Sequence, residues 1–557
     1  MIARSIRLAG VRGLEGVGEL ALLTAIVVGV LAVTTLPYLF GYHAGPTDRQ
    51  FMGILLDVPD TAQYLSWARE SSHALLIENK LTPESGDAVF FNLFWLGVGR
   101  LAAATGLHVA EALQLARPLA GAFYLGASYW LIGLVVPDRL QRWVSFLVVA
   151  LGSGLGWILV AYKQLSGDLP FPLDVYTTES NTFLTVMAFP HQAMAGGLLA
   201  LALGFSALAF ERNSLRLALI AGLLGLALGL QHGYDLLIVY AVVGAAALIL
   251  ARPGARLRSC RLCAMVGGWS LPAAAYLAYL AKASPVWQGV LAQYGNAGVH
   301  TPNPSHLLIL MGVPLLLLVA GRGEPCGLSP VNTRELFLRY WLVVGLLLPY
   351  LPTDFQIKML AGWQIPVGIL ATRTLFTHIA PALSRAWAIA PRRSEAALGF
   401  LLVLAVLPTN LYLYAWRFVD LGRGGYPYYL HRDEVAALRW LEANSDPSDV
   451  VLSSLTIGQY IPSVSGNKAF LAHWAQTLDF YQKRQMVDRF FDQAVPEQDH
   501  LNWLARFGVR YIFCGEQERA LGSRNLDESQ YLGKVFSAGE VTVYEVLGTS
   551  RANEVSR

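Results

Sequence analysis

Two aspartates, Asp57 and Asp60, follow the first apolar segment of this 557-residue chain and are well placed for chemistry. They lie in the stretch FMGILLDVPDTAQYLSWARE, where Pro59 suits the start of a helix and Asp60 its first turn. Tyr64 is one turn further along the same predicted face. A carboxylate here could deprotonate a hydroxyl group or bind a cation. The same residues also fit a helix N-terminal charge plus a solvated loop acid, and charge alone does not rank Asp57 against Asp60.

A second loop, residues 163–189, contains further polar candidates. Glu179 and Asn181 lie near its end, and His191 follows in the motif FPHQ, where the next apolar segment begins. An acid and a histidine at the edge of a membrane span are unusual and indicate a functional site. The alternative is that the acid is merely solvated, as most acids in outer loops are.

Two later turns carry the remaining candidates. His232 and Asp235 are three residues apart in QHGYD, so they either face one cavity or cap a helix. Lys358 and Gln364 lie in LPTDFQIKMLAGWQIP, just before another apolar segment. A cation at this depth suits a phosphate, although lysine also extends routinely from a span to the interface.

Composition assigns the chain to the polytopic membrane proteins. Hydrophobic residues make up 55%, charged residues only 14%, and the mean hydropathy is +0.45. The formal charge of +3 does not indicate nucleic acid as a partner. Cys260 and Cys263 form a CxxC without a second ligand pair nearby, which argues against zinc. We assign no metal ligand, and a divalent cation stays open as a cofactor.

About eleven apolar segments are long enough to span a bilayer. They cover approximately residues 20–41, 113–136, 143–162, 189–210, 214–230, 235–251, 264–281, 306–320, 336–351, 361–379 and 397–415. The first is too long for a signal peptide, so we interpret it as an uncleaved anchor.

Loop charges predict the topology. If 89–106 does not cross the membrane, the cytoplasmic side holds nearly all of the loop arginines, beginning with Arg4, Arg7 and Arg12, whereas the short outer loops hold only Lys163, Lys282 and Lys358. We therefore interpret 89–106 as a re-entrant or interfacial helix. The N-terminus is predicted to be cytoplasmic and the C-terminal end extracytoplasmic, in the plasma or inner membrane of the cell.

The composition changes near Tyr426. Residues 432–444 predict an amphipathic helix, and VVLSS, KAFLAH, VRYIFCG and TVYEV predict short strands. The predicted organisation is a transmembrane domain over 1–420 with outer catalytic loops at 42–110 and 163–189, followed by a soluble extracytoplasmic α/β domain over 425–557. The soluble part lacks a Gly-rich phosphate loop, GxSxG and HExxH.

This layout resembles the GT-C superfamily of integral-membrane glycosyltransferases, which includes protein O-mannosyltransferases and lipid A aminoarabinose transferases. The resemblance rests on the N-terminal span, the D-x-x-x-Y of Asp60 and Tyr64, the interfacial helix, the G-x-x-x-A-x-x-x-A-R-P-like stretch from Gly106 to Pro118, and the C-terminal outer domain. It implies a polytopic α-helical fold of about 11 transmembrane helices.

The resemblance also implies a function. A sugar would move from a polyprenyl-phosphate donor to a lipid, glycan or protein acceptor on the outer face, with inversion. Asp60 best matches the first-loop acid that acts as general base or orients the acceptor, and Asp57 is the runner-up. Glu179 fits the second acid, although the usual aspartate is not matched, and Lys358 is a candidate to hold the lipid phosphate.

Other functions are compatible with parts of the sequence. A lipid or polysaccharide transporter or flippase favours acids buried in mid-span and inverted repeats, neither of which is evident. A non-catalytic scaffold predicts that Asp60, Glu179 and Lys358 do not share a pocket. A polysaccharide polymerase or ligase would differ mainly in its donor.

Overall fold

The computed structural model describes residues 17–167, 169, 171–250, 255–293, 302–321, 332–492 and 497–547. Arg4, Arg7 and Arg12, which carry the orientation signal of the first span, lie outside these ranges. The described residues form two compact units. Unit 1 comprises Met1–Leu36, Ala116–Leu277 and Val299–Arg417, and unit 2 comprises Pro37–Leu115, Ala278–Gly298 and Phe418–Arg557.

The chain is predominantly helical. Up to the end of the apolar region, the helices are α1 (Val17–Ala44), α2 (Val58–Ser71), α3 (Leu93–Thr105), α4 (Val109–Val135), α5 (Arg139–Leu151), α6 (Gly156–Ser166), α7 (Thr182–Ala188), α8 (Pro190–Arg212), α9 (Leu215–Gly229), α10 (Asp235–Leu250), α11 (Arg256–Ala283), α12 (Pro285–Ala292), α13 (Pro304–Ala320), α14 (Thr333–Leu347), α15 (Gln364–Thr374), α16 (Ala380–Trp387), α17 (Pro391–Ala405) and α18 (Pro408–Gly422).

The C-terminal part mixes helices and strands. Its helices are α19 (Arg432–Asn444), α20 (Leu455–Gly458), α21 (Phe480–Phe491), α22 (Glu497–Arg506) and α23 (Glu516–Arg519). The first strand, β1 (Arg49–Phe51), lies in the loop after α1. The strands of the C-terminal part are β2 (Tyr429–His431), β3 (Val450–Leu452), β4 (Lys468–Ala469), β5 (Val509–Cys514), β6 (Leu532–Ala538) and β7 (Val541–Val546).

Among the described residues, six helical segments are long and apolar enough to cross a membrane, so the chain is a multi-pass membrane protein. They are Val17–Ala44, Val109–Val135, Arg139–Ser166, Pro190–Arg212, Arg256–Lys282 and Pro391–Gly422. Four shorter apolar helices include those at 215–229, 235–250 and 304–320, where the sequence predicts spans. The total of about eleven spans stays a prediction. The fourth short helix, Leu93–Thr105, has 13 residues and extends about 20 Å, which is short for a crossing.

In unit 1, three apolar helices are interrupted at neighbouring positions. Residues 152–155 separate α5 from α6, residues 406–407 separate α17 from α18, and Gly312 in α13 has a φ of 57°. The backbone N–H and carbonyl groups that lose their helical partners at these breaks form hydrogen bonds with one another. Ser153 N–H donates to the Val406 carbonyl at 2.8 Å, and Leu155 N–H donates to the Ile309 carbonyl at 2.7 Å. Satisfying these groups internally permits irregular backbone in an apolar environment.

Unit 2 holds the loop after α1 together with the C-terminal segment. β1 pairs antiparallel with β2, with Arg49 opposite His431. A five-stranded sheet has the order β4-β3-β5-β7-β6, with β3 parallel to β4 and β5, and β7 antiparallel to β5 and β6. Four of these strands, β3, β4, β5 and β7, overlap the segments that the sequence predicts as strands. Buried apolar side chains, such as Phe470, Phe490 and Ile512, form the core beside the sheet.

The helix that carries the first candidate acids packs closely on its neighbour. A Cβ added to Gly99 of α3 would lie 2.3 Å from the Ala68 carbonyl oxygen of α2. Only glycine therefore allows the two backbones this approach. The contact fixes α2 within unit 2.

Candidate functional site

Asp57 and Asp60 lie at the start of α2 in different environments. Asp57 is exposed and has a φ of 48°, and its carbonyl accepts a hydrogen bond from Thr61 N–H at 2.9 Å. Asp60 is in the first helical turn, as the position of Pro59 predicts. A carboxylate there is favoured by the partial positive charge of the helix N-terminus.

Asp60 contacts a histidine that is 413 residues away in the sequence. His473 Nε2 lies 2.8 Å from Asp60 Oδ1, and the side chain of His473 is 2% exposed against 22% for Asp60. His473 Nδ1 accepts hydrogen bonds from the backbone N–H groups of Ala475 and Gln476, at 3.0 and 3.2 Å. Since Nδ1 is an acceptor, the proton of the ring is on Nε2, which donates to the carboxylate. The contact with His473 therefore fixes the direction of the Asp60 carboxylate.

The loop after β4 that presents His473 is bonded to the loop after α2. Thr477 Oγ1 accepts from the backbone N–H groups of Ala472 and His473, and donates to the Leu81 carbonyl at 2.5 Å. Asn79 Nδ2 donates to the Gln476 carbonyl at 2.9 Å. These bonds attach the loop that presents His473 to the loop that follows α2. The sequence pattern of KAFLAH predicts a strand but gives no indication of this role for its histidine.

Two buried lysines also join the region around α2 to the C-terminal segment within unit 2. The Lys483 side chain is 1% exposed, and its Nζ lies 2.6 and 2.8 Å from the two carboxylate oxygens of Glu84. Burial lowers the pKa of Lys483, and Glu84 opposes that shift. Lys80 Nζ lies 3.2 Å from Glu70 and donates to the Gly466 carbonyl at 2.7 Å. The predicted outer loop 42–110 is therefore anchored to the C-terminal segment by charge-assisted bonds.

Tyr64, one turn after Asp60, lies in an aromatic cluster. Its ring stacks on Trp95 with centroids 5.0 Å apart and an interplanar angle of 12°, and it lies 5.5 Å from Trp67. Trp67 in turn contacts Phe90, which stacks on Trp287. Because Tyr64 is partly exposed while the others are buried, it is the member that a ligand beside Asp60 could reach.

Unit 1 contains the second group of predicted site residues. Lys358 Nζ lies 2.7 Å from Glu179 Oε1, and the lysine side chain is 24% exposed while that of Glu179 is 4% exposed. The Glu179 carbonyl accepts from Gly362 N–H at 2.8 Å, which fixes the two segments together. The sequence suggests Glu179 and Lys358 independently, and the structure brings them into one ion pair.

Asn181 and Gln364 have their side-chain polar groups bound within unit 1. Asn181 caps α7 by accepting from Leu184 N–H, and donates to Asn410 Oδ1 at 2.7 Å. Gln364 accepts from Thr182 N–H at 2.7 Å and donates to the Gly152 carbonyl at 2.5 Å. These bonds position the Glu179 loop on the interrupted helix.

His191, His232 and Asp235 form a buried group in unit 1. His232 Nδ1 lies 3.0 Å from Asp235 Oδ2, and the imidazole centroids of His191 and His232 are 6.0 Å apart. His232 also contacts Tyr234, whose ring lies 4.7 Å from that of Phe355, the residue directly before the short helix Gln356–Leu360 that contains Lys358. The side chains of His232 and Asp235 thus contact each other.

Asp174 is an acid that the sequence does not distinguish from other loop carboxylates. It is 1% exposed, and its Oδ2 accepts from Gly156 N–H, the first residue of α6, at 2.8 Å. Burial raises its pKa to about 6. A Cβ on Gly156 would lie 1.8 Å from Asp174 Oδ1, so glycine makes room for the carboxylate. The burial of Asp174 depends on the helix break at 152–155, and no local sequence pattern predicts that break.

Asp60 and its histidine belong to unit 2, whereas Glu179 and Lys358 belong to unit 1. That Asp60, Glu179 and Lys358 converge on one pocket stays a prediction. Within the described ranges, no group of three histidine, cysteine, aspartate or glutamate side chains is arranged to hold a metal ion.

Neither a protein-family model nor a curated protein matches the sequence. Among solved structures, archaeal oligosaccharyltransferase AglB from Archaeoglobus fulgidus, in complex with an inhibitory peptide and a dolichol-phosphate, has a TM-score of 0.56 at 13% identity, covering 89% of this chain and 70% of that chain.

Two further solved structures are similar. ArnT from Cupriavidus metallidurans, bound to undecaprenyl phosphate, has a TM-score of 0.51 at 12% identity and covers 95% of this chain and 98% of that chain. The arabinofuranosyltransferase AftD from Mycobacteria has a TM-score of 0.56 at 14% identity, covering 95% of this chain and 40% of that chain. All three are GT-C superfamily membrane glycosyltransferases. The predicted GT-C fold is therefore confirmed.

Proposed function

We propose that this protein is a glycosyltransferase that moves a sugar from a polyprenyl-phosphate donor to a hydroxyl group of an acceptor, on the outer face of the membrane. The fold and the names of the similar proteins support the class of reaction. The observation that carries the proposal is the carboxylate of Asp60, partly exposed and oriented by a buried histidine.

Asp60 acts as the general base in this proposal. Transfer requires removal of the acceptor proton while the hydroxyl oxygen attacks the anomeric carbon. His473 donates Nε2–H to the carboxylate and thereby fixes its direction. The histidine is a positioning residue, because a proton on Nδ1 would break both of its backbone hydrogen bonds. Direct displacement inverts the anomeric configuration.

Lys358 supplies the second charge. As the bond between the anomeric carbon and the phosphate breaks, negative charge accumulates on the phosphate, and an ammonium group stabilises it. The Glu179 carboxylate holds Lys358 at 2.7 Å and leaves about a quarter of the lysine side chain exposed. We propose that this pair binds the phosphate of the donor, with Tyr64, His191, His232 and Asp235 lining the substrate sites.

The test of Asp60 is a membrane assay with radiolabelled polyprenyl-phosphate sugars. We expect D60N to lower kcat by 100-fold or more, roughly the contribution of general base catalysis. D488N, which changes an exposed aspartate on α21, is the matched control and retains activity. Normal turnover in D60N, or loss of turnover in D57N alone, refutes the assignment of the base.

The test of His473 separates orientation from folding. H473F removes the donor to Asp60 and is expected to lower kcat about tenfold with little change in the KM of the donor. H473Q keeps an N–H at a similar position and should recover part of the loss. If H473F and H473Q lower kcat to the same extent, and also lower the unfolding temperature to the same extent, His473 has only a structural role.

A transporter or a scaffold with the same fold would form no labelled product in this assay. The participation of a divalent cation also stays a proposal, tested by chelation of the purified protein before the assay. The sugar and the acceptor follow from identification of the labelled product.

A further inference from the structure

Unit 2 contains a cavity of about 420 Å³ that does not involve Asp60 or His473. Its walls include Leu65 and Arg69 of α2, and Arg439 and Glu442 of α19, so we name it the α2–α19 cavity. At about 100° per residue, Leu65 and Arg69 lie on the opposite face of α2 from Asp60, Tyr64 and Trp67. The volume lies within the range of sites for small ligands, roughly 300–1,000 Å³.

The cavity lies at the ends of two candidate membrane spans. Tyr42, in the last turn of α1, and Val109 and Glu111, in the first turn of α4, all line it. α1 has 28 residues and is about 42 Å long, which exceeds the thickness of a hydrocarbon core of about 30 Å. The cavity is therefore lined by the end of a helix that is longer than a crossing requires. Its apolar lining, which includes Phe51, Met52 and Leu107, suits an amphiphile.

The charges that line the cavity are of two kinds. Arg69 and Glu442 neutralise each other at 2.7 Å. Arg439 is exposed, and within the described part of the chain it forms no ion pair. Glu111 is also exposed; it accepts a hydrogen bond from His108 N–H at 3.2 Å but forms no ion pair with another described residue. The lining thus offers one uncompensated cation and one uncompensated anion to a ligand.

We propose that the α2–α19 cavity binds the head group of an ethanolamine phospholipid, with the phosphate on Arg439 and the ammonium on Glu111. A guanidinium binds phosphate through parallel N–H donors, and a primary ammonium offers three donors to a carboxylate. An anionic head group without an amine would bind Arg439 but would be repelled by the carboxylate of Glu111. This site is independent of sugar transfer.

The test measures thermal unfolding of the purified full chain in detergent against added dioleoyl phosphatidylethanolamine, phosphatidylcholine or phosphatidylglycerol. The first lipid should stabilise the protein at the lowest concentration, because bound ligand raises the unfolding temperature. R439Q and E111Q should each weaken this apparent affinity about tenfold, the contribution of one charge-assisted contact. E111Q should shift the preference towards phosphatidylglycerol. R484Q, an exposed arginine on α21, is the control.

Three outcomes contradict the proposal. One is equal stabilisation of the wild type by phosphatidylglycerol and phosphatidylethanolamine. Another is an equal loss of affinity in R484Q and R439Q. The third is equal binding of water-soluble phosphoethanolamine, which would make the ligand a free phosphoamine rather than a lipid. Native mass spectrometry of the lipid retained by each variant gives a second readout that does not depend on unfolding.

Discussion

Asp174 provides a quantitative test of the buried environment at the helix break. Burial raises its pKa from 3.8 to about 6, so the folded state retains a proton that the unfolded state releases in this range. The wild type therefore loses stability as the pH rises from about 4 to about 6, and the loss is complete above that range. D174N substitutes a neutral side chain of nearly the same shape and lacks this loss.

The expected size follows from the two pKa values. The shift of about two units corresponds to about 3 kcal/mol. The linkage relation gives a stability advantage of D174N over the wild type of about 3 kcal/mol at pH 7, roughly half of that at pH 5 and little at pH 4. Other titrating groups cancel in this difference because both proteins contain them.

The assay is unfolding in mixed micelles at several pH values, monitored by tryptophan fluorescence. Infrared spectroscopy provides an independent measurement, because a protonated carboxyl band should be present at pH 5, absent at pH 8 and missing in D174N. An advantage of D174N that does not change with pH, or a wild type that is the more stable protein at pH 7, would show that Asp174 is ionised and stabilising in the folded state.

Three further substitutions probe the packing around the two candidate sites. G156A places a methyl group against the Asp174 carboxylate and should destabilise the fold by about 2 kcal/mol, measured in the same unfolding assay; no change would mean that the carboxylate moves freely. E84Q leaves the buried Lys483 ammonium without its carboxylate and should lower the free energy of unfolding by about 3 kcal/mol. The double variant E84Q/K483M should recover a large part of this loss. Additive effects of the two substitutions on the free energy of unfolding contradict the pairing. T477V removes the hydroxyl that holds the His473 loop, and should lower kcat for sugar transfer while leaving the unfolding temperature nearly unchanged. A lower unfolding temperature with an unchanged kcat would make the role of Thr477 purely structural.

Sequence reasoning was successful where physical signals are local. The apolar segments, the proline and acids at the start of α2, and the strand patterns of the C-terminal segment each depend on neighbouring residues, and α2 and the strands form at those positions. The layout also led to the GT-C fold, which the solved structures share. The membrane environment strengthens such signals, because every backbone group within it must be bonded inside the segment.

Irregular backbone in apolar segments was not predictable in this way. The segment 143–162 reads as one uninterrupted span, yet residues 152–155 leave the helix and bond to the breaks near Val406 and Ile309. Glycines in this segment permit the break but do not require it, since glycine is common in membrane helices. The burial of Asp174 follows from this arrangement and was missed for the same reason.

The sequence by itself determined that this is a multi-pass membrane protein and that Asp60 begins a helix, because both depend on composition and short-range spacing. Only the tertiary structure decided that His473 orients Asp60 across 413 residues and that Glu179 holds Lys358 across 179. Contacts of this separation are made by the packing of distant segments, which a single sequence does not encode in any local pattern.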